Sequence, residues 1–319
     1  MENLKVFLTG AFGNVGFETI QVLLDLNYRV KAFDLETKAN KRIAKNYQEQ
    51  IEICWGDICT ADFNQLLIDV DLVIHLAAII PPTTDSIPEI AYDVNVNGTK
   101  RLIRAMQEVM KTPALLFASS VSVYGERGRN SPPVTLADGL KPTDVYSTHK
   151  VECEEFIRAS SIKWAIFRLG VVSPLELGGF DPIMFEISLD SQIEFVHPHD
   201  VALAFVHAIE EKEVWGKTLL IGGGPACQMY YHDFVTRLLS SFGVGALPKE
   251  AFGSKPFYTA FMDTSESQAL LNYQTTSFES YAQQLKASMG SKHVFAEMFS
   301  PLIQYWLKNQ SPHYKGSKK

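Results

Sequence analysis

Short, almost continuously apolar runs alternate with longer segments of helical period through the first half of this chain, and that alternation constrains its fold most. Leu4–Leu8, Tyr28–Phe33, Ile51–Trp55, Asp71–Leu76, Ala114–Ser119 and Trp164–Leu169 have strand length. Between them, Val15–Leu26, Glu89–Met110 and Val145–Ala159 carry apolar residues at helical spacing. Strands apolar on both faces belong to a parallel sheet covered by helices on either side. Right-handed crossovers then give a doubly wound α/β fold, with its binding crevice at the strand C-termini.

The second half is less regular. A strand-like Ile193–Val196 leads to a helix starting near Asp200, then to Thr218–Ile221 and the break Gly222-Gly223-Gly224-Pro225. No Pro/Ser-rich or charged linker divides the 319 residues. The expected plan is a nucleotide-binding domain over 1–170 with contributions from about 193–225, and a smaller interleaved lobe from 171–192 and 226–319.

Composition narrows the partners. The chain has 29 Lys and Arg against 36 Asp and Glu, a net charge of −7, which points away from nucleic acid or an anionic membrane. Its basic run, Lys315-Gly316-Ser317-Lys318-Lys319, reads as a solvated tail. No apolar stretch approaches the ~18–20 residues of a membrane span, and no secretory signal opens the chain. Cys54, Cys59, Cys153 and Cys227 show neither C-x-x-C spacing nor a disulfide framework, so a cytoplasmic protein with reduced thiols is expected. His197, His199 and His207 lack a third ligand at metal spacing, and a structural role at a helix start near Asp200 is expected instead, with no metal. His149 is assigned no role.

Thr9-Gly10-Ala11-Phe12-Gly13-Asn14-Val15-Gly16 lies between the first strand and first helix. Gly10 permits the tight turn, Gly13 admits a pyrophosphate to the backbone, and Gly16 lets helix and strand pack closely. Phosphates would sit on the helix N-terminus. Asp34, 18 positions past Gly16, ends the second strand, where a carboxylate accepts both ribose hydroxyls and repels a 2′-phosphate. NAD is therefore favoured over NADP, which Lys38, Lys41 and Arg42 leave open. Asp57, in Gly56-Asp57-Ile58, is placed either to meet the adenine amino group or to cap the next helix.

Tyr146 and Lys150 stand four apart on one helical face. An adjacent ammonium and a nicotinamide cation would both favour phenolate and lower the tyrosine pKa from near 10. Ser120 ends the fifth strand and faces the crevice, where it is positioned to bond the substrate oxygen that Tyr146 protonates. Ser119 and Ser122 are lesser substrate contacts.

With these residues in place the sequence resembles the extended short-chain dehydrogenase/reductases, the NAD-dependent epimerase/dehydratase family, over about residues 4–285. Further matches are His75-Leu76-Ala77-Ala78, Asn95-Val96-Asn97-Gly98-Thr99, Phe195–Ala202, Ile221–Gly224, Asp263-Thr264-Ser265 and Leu270–Tyr273. The resemblance implies a Rossmann domain, Tyr146 as acid/base, Lys150 as its activator and ribose ligand, Ser120 as carbonyl orienter and Asn95 as support. It also implies a homodimer through Glu89–Met110 and Val145–Ala159. The candidate cofactor set is Gly10, Phe12, Gly13, Asn14, Val15, Gly16, Asp34, Asp57, Ile58, Leu76, Ala77, Ala78, Asn95 and Lys150.

Departures from the family pattern bear on substrate. Val121 and Ser122 stand where dehydratases carry Asp-Glu, which excludes the 4,6-dehydratase reaction. Gly170 occupies the place of an Asn that holds a sugar-nucleotide diphosphate, the segment between Pro174 and His197 is short, and no Arg precedes Asp263. The expected activity is NAD-dependent hydride transfer at a secondary alcohol or ketone of a sugar or sugar-nucleotide. A dehydrogenase of a small free sugar, sugar acid or other carbonyl compound is the alternative, and a catalytically idle NAD-binding redox sensor is the alternative of another class.

Overall fold

The computed structural model describes residues 4–173 and 182–314. The expectations placed on Pro174 and on the basic tail Lys315–Lys319 lie outside the described residues. Strands β1 (Lys5–Thr9), β2 (Arg29–Asp34), β3 (Glu52–Trp55), β4 (Leu72–His75), β5 (Ala114–Ser120) and β6 (Trp164–Leu169) fall on the six apolar runs. The helices among them are α1 (Asn14–Asp25), α2 (Lys38–Ala44), α3 (Phe63–Leu66), α4 (Thr83–Ser86), α5 (Pro88–Tyr92), α6 (Thr99–Glu108) and α7 (Val145–Ala159). Beyond them lie β7 (Gln192–Glu194), α8 (Pro198–His207), β8 (Thr218–Ile221), β9 (Gln228–Tyr230) and α9 (Tyr231–Ser241). Helices α10 (Ser265–Leu271), α11 (Phe278–Met289), α12 (Ser291–Met298) and α13 (Ser300–Gln310) complete the described chain.

The main sheet is wholly parallel, in the order β3-β2-β1-β4-β5-β6-β8. Strand order reverses between β1 and β4, which opens a crevice at their C-terminal ends. Two apolar layers cover the sheet. One includes Val6, Leu8, Ile20, Leu23, Phe167 and Phe205; the other includes Phe7, Phe63, Val73, Leu102, Phe117 and Ile166. This is the expected doubly wound fold.

Two elements differ from the sequence reading. The strand expected at Ile193–Val196 is β7, and it pairs antiparallel with β9 outside the main sheet. The segment 193–225 therefore gives the sheet only β8. Glu194 and Phe195 lie against the Gly222–Gly224 break, where a Cβ on Gly222 would meet Glu194 Oε1 at 2.1 Å. The helix expected over Glu89–Met110 is interrupted by a π-helical turn, Asp93–Gly98. Its wider turn carries Asn95 to the loop after β4, a position a regular helix would not give it. A third apolar cluster, including Phe185, Phe195, Phe234, Phe278, Tyr281 and Leu285, forms the core around β7, β9, α9 and α11.

Candidate active site

The first βα turn forms a cradle that side chains would fill. Gly10 has φ +66°, and a Cβ there would lie 2.8 Å from the Ala77 amide nitrogen. A Cβ on Gly16 would lie 2.1 Å from the Gly10 carbonyl oxygen, so the helix start presses directly on the turn. Gly13 is the N-cap of α1; no side chain caps the helix and its first turn, beginning at Asn14 and Val15, holds no acidic residue. The first-turn N–H groups are thus left for an anion. Phe12 is buried, its ring 5.2 Å from that of Trp55, and its N–H donates to Asp34 Oδ2 at 2.8 Å. Asp34 Oδ1 accepts the Leu35 N–H at 2.8 Å, and burial raises the Asp34 pKa against these bonds. The carboxylate is thereby fixed at the end of β2 with lone pairs left over for hydroxyl donors.

A hydrogen-bonded chain holds the opposite wall. The Ala77 N–H donates to Thr9 Oγ1 at 3.3 Å, and Thr9 Oγ1 lies 2.6 Å from His75 Nδ1. His75 Nε2 lies 2.8 Å from Thr99 Oγ1, which donates to the Asn95 carbonyl at 2.6 Å. Burial pushes the His75 pKa down to about 3, so the ring is neutral. Since the Thr99 proton goes to Asn95, His75 must donate from Nε2 and accept from Thr9 at Nδ1. Asn95 closes the chain: its side chain donates to the Ile79 carbonyl at 2.8 Å and accepts the Ile79 N–H at 2.7 Å. Leu76, Ala77 and Ala78 are therefore clamped beside the Gly10 turn. The sequence reading placed His75 only as a landmark and missed this role.

Lys150, one turn from Tyr146 on α7, reaches the C-terminal part of β5, the strand that Ser120 ends. Asp144, two residues before Tyr146, caps α7 with a reciprocal capping box to Ser147, which fixes the helix start. Lys150 is buried; its Nζ donates to the Ala118 carbonyl at 2.7 Å and lies 5.6 Å from the centre of the Tyr146 ring. Burial lowers the Lys150 pKa to about 8. Burial moves the Tyr146 pKa up, and the Asp144 carboxylate adds to that shift, against the lowering expected from the ammonium. Ser120 Oγ accepts from the Ser122 N–H at 3.1 Å and the Ser122 hydroxyl at 2.9 Å. Its own hydroxyl proton remains free to donate.

Other expected site residues have partners within the fold. Adjacent strand residues face opposite sides, and Ser119 donates at 2.5 Å to Glu154, away from the crevice. The Ser122 hydroxyl is taken by Ser120. Ile58 is buried in the core, where Gly98 leaves room for it. Asp57 is exposed and accepts the Cys59 N–H at 2.8 Å in a local turn; Asp62, not Asp57, caps α3. Gly170 donates its N–H to the Ile221 carbonyl at 2.8 Å, and a Cβ there would meet the Glu194 carbonyl oxygen at 2.7 Å. His197 is the N-cap of α8, and the fully buried Asp200 beside it accepts from Thr275 and Thr276. No cluster of three or more metal-ligating side chains occurs among the described residues.

Two buried carboxylates escaped the sequence reading. Glu154, fully buried, binds Arg168 through two bonds of 3.0 and 2.6 Å and Arg158 through one of 2.8 Å. Its signal was present, since Tyr146, Lys150 and Glu154 recur at intervals of four on one face of α7. Glu194, also fully buried, accepts from the Met262 and Gly224 N–H groups and from the Gln228 amide. Burial pushes its pKa up to about 7.

The model of the NAD dependent epimerase/dehydratase family matches residues 6–173, more than half of the chain. The chain belongs to that family. It is an NAD-dependent enzyme of the extended short-chain dehydrogenase/reductase type, and the cradle and Asp34 fit a dinucleotide. Its sequence is 25% identical over 264 residues to a 3 beta-hydroxysteroid dehydrogenase/Delta 5→4-isomerase of Mycobacterium tuberculosis, covering 75% of this chain and 70% of that protein. It is also 25% identical over 183 residues to a D-erythronate dehydrogenase of Cupriavidus necator, covering 53% of this chain and 56% of that one. In fold it is similar to a UDP-glucuronic acid 4-epimerase of Bacillus cereus solved with UDP-glucuronic acid and NAD. That match has a TM-score of 0.75 and 24% identity, and covers 89% of this chain and 100% of that one.

Proposed function

We propose that this family member is a dehydrogenase or reductase acting at a secondary carbinol or ketone carbon of a small sugar, sugar acid or other carbonyl compound without a diphosphate. The observation that carries this reading is the state of the cations around the ends of β5 and β6. Arg168 is held by Glu154 and by the Tyr124 hydroxyl at 2.6 Å, and Lys150 by the Ala118 carbonyl. Arg127 pairs with Asp138 at 3.5 Å, and Arg129 with Asp190. A diphosphate placed here would have to draw one of them from its partner. The relatives named as steroid and sugar-acid dehydrogenases support the same choice.

In this reading Gly10, Gly13 and Gly16 cradle the pyrophosphate, Asp34 takes the adenosine ribose, and Lys150 is the cation nearest the nicotinamide ribose. The dinucleotide supplies the hydride donor or acceptor at its nicotinamide ring. Ser120 donates its free hydroxyl proton to the substrate oxygen and fixes the orientation of the reacting carbon. Tyr146, which burial favours as the phenol, is the proton donor to that oxygen in reduction, and the phenolate it leaves is the proton acceptor in oxidation. The lobe around β7, β9, α9 and α11 closes over the substrate.

Thermal denaturation with NAD, NADP and UDP tests the reading. A ligand bound only by the native state adds about 2.7 kcal/mol at a hundredfold excess over Kd. NAD is expected to raise Tm, and UDP to add nothing to that shift. A further rise with UDP would restore a sugar-nucleotide epimerase. Asp34 can be tested separately. Asp34→Ala is expected to weaken NAD by about tenfold or more, through loss of charge-assisted bonds to the ribose, while NADP is spared. Equal losses for both cofactors in a binding titration would remove Asp34 as the discriminating group.

A further inference from the structure

Two alternate residues of β7 form a buried polar seam between the C-terminal lobe and the loop that follows β5. Gln192 and Glu194 share one side of the strand and are 2% and 0% exposed. The Gln192 side chain donates to the Arg129 and Ser131 carbonyls at 3.1 and 2.8 Å and accepts the Phe261 N–H at 3.2 Å. Glu194 accepts the Met262 N–H at 2.7 Å and the Gln228 amide at 2.8 Å on one oxygen, and the Gly224 N–H at 3.1 Å on the other. Between these anchors the Val134 N–H donates to the Phe261 carbonyl at 2.7 Å, and the Asp263 N–H to the Val134 carbonyl at 2.8 Å. The segment downstream of Ser120 and the segment 261–263 are thus one layer, fixed from beneath by β7.

The carboxylate is the unusual member of the seam. Glu154 is met by two arginines, whereas Glu194 is held by neutral donors alone among the described residues. A buried charge without a cation is expensive, and a neutral residue of similar volume would pack there, so stability does not account for it. Its bonds lead to the reacting end. Met262 belongs to one apolar cluster with Val121, the residue directly after Ser120, and with Val123 and Tyr124. Its Cε lies 3.0 and 2.7 Å from where a Cβ on Gly170 and Gly222 would stand, so it rests on the ends of β6 and β8. We propose that Glu194 is a positioning residue for the hydride-transfer reaction: it seats Met262 against Val121 and so sets the direction in which Ser120 presents its hydroxyl to the substrate oxygen. This rests on the role given to Ser120 above. Three charge-assisted bonds fix the seat when Glu194 is ionised, and protonation takes the charge from all of them and weakens each. Burial places that change at about pH 7. Of the titratable groups around it, Cys227 and Tyr273 are pushed up to about 12 by burial and stay neutral through this range. The Arg129 guanidinium is turned to Asp190 and the Tyr230 ring, and the Asp263 carboxylate to Ser265.

Amide NMR of the full chain with NAD reads the seat without a substrate. The Gly224 and Met262 signals are expected to titrate together with one midpoint at about pH 7, and the Ser120 signal to follow with the same midpoint. All three are expected to lose that midpoint in Glu194→Gln. Gln228→Leu removes one donor to the carboxylate and is expected to move the shared midpoint up, which a merely structural residue would not do. A Ser120 signal that stays still while Gly224 and Met262 titrate overturns the positioning role, as does the absence of a midpoint that Glu194→Gln abolishes. Kinetics read the consequence on a carbonyl substrate that the parent turns over. Its kcat/KM is expected to fall about tenfold as pH drops through the midpoint, and Glu194→Gln to stay low on both sides of it while NAD still raises Tm. Equal kcat/KM for parent and Glu194→Gln above the midpoint overturns the proposal. Ser120→Ala is expected to lower kcat/KM at every pH; if it does not, the role of Ser120 falls, which is a separate failure from loss of the shared midpoint.

Discussion

Tyr146→Phe is expected to lower turnover by about 10²- to 10⁴-fold, the usual contribution of a positioned proton donor, while NAD still raises Tm as in the parent protein. The two readouts are expected to separate because, in the proposed mechanism, the phenolic oxygen serves the reacting oxygen and not the dinucleotide. Loss of the hydroxyl leaves the ring, its neighbour Lys150 and the α7 capping box in place. In the proposed reading no other group supplies that proton: the Ser120 hydroxyl only hydrogen-bonds the substrate oxygen, and Lys150 is turned to the Ala118 carbonyl. Steady-state kinetics on a carbonyl substrate that the parent turns over, beside a thermal titration with NAD, decides it. Retained turnover would remove Tyr146 from the chemistry. Lost turnover together with lost NAD stabilisation would mark a folding defect, and Tyr146→Trp with NAD titration would then report whether the groove survives.

The largest stability effect is expected at Arg168. Glu154 lies fully buried between α7 and β6, and Arg168 supplies two of its hydrogen bonds while reaching Tyr124 with a third nitrogen. Breaking one partner out of a buried ion pair leaves an uncompensated charge and costs about 3–5 kcal/mol. Arg168→Met should lower the free energy of unfolding by that amount in urea denaturation. Adding Glu154→Gln should return a large part, because the stranded charge is then gone. A loss below ~1 kcal/mol would show that Arg158 alone neutralises Glu154. Burial raises the Glu154 pKa, but the bonds from Arg168, Ser119 and Arg158 outweigh it and hold the group below the ordinary carboxylate value. Its contribution is therefore present at neutral pH and lost as pH falls through that lowered value. Ser119 bonds the same carboxylate, so the pair also steadies the strand end that carries Ser120.

The sequence by itself determined the sheet. Six apolar runs became six parallel strands, because a strand covered on both faces must be apolar throughout, and that pattern is local. It also determined the first βα turn, where the glycines and Asp34 stand at spacings that the turn requires and that few other residues satisfy. Val145–Ala159 was readable to the residue, since its cap and its periodicity lie within the segment itself.

What only the tertiary structure decided involved partners distant in the chain. The π-helical turn at Asp93–Gly98 goes with the two bonds between Asn95 and the Ile79 backbone, a distant partner that no helical period announces. Strand β7 left the main sheet because β9 offered it an antiparallel partner, 34 residues away at Glu194 and Gln228. Ser119 and Ser120 looked alike in sequence, yet the pleat sends one to Glu154 and leaves the other with a free proton at the crevice. The sign of the Tyr146 shift also waited for the fold, because a neighbouring charge is visible as a spacing, whereas burial is a property of everything packed around the group.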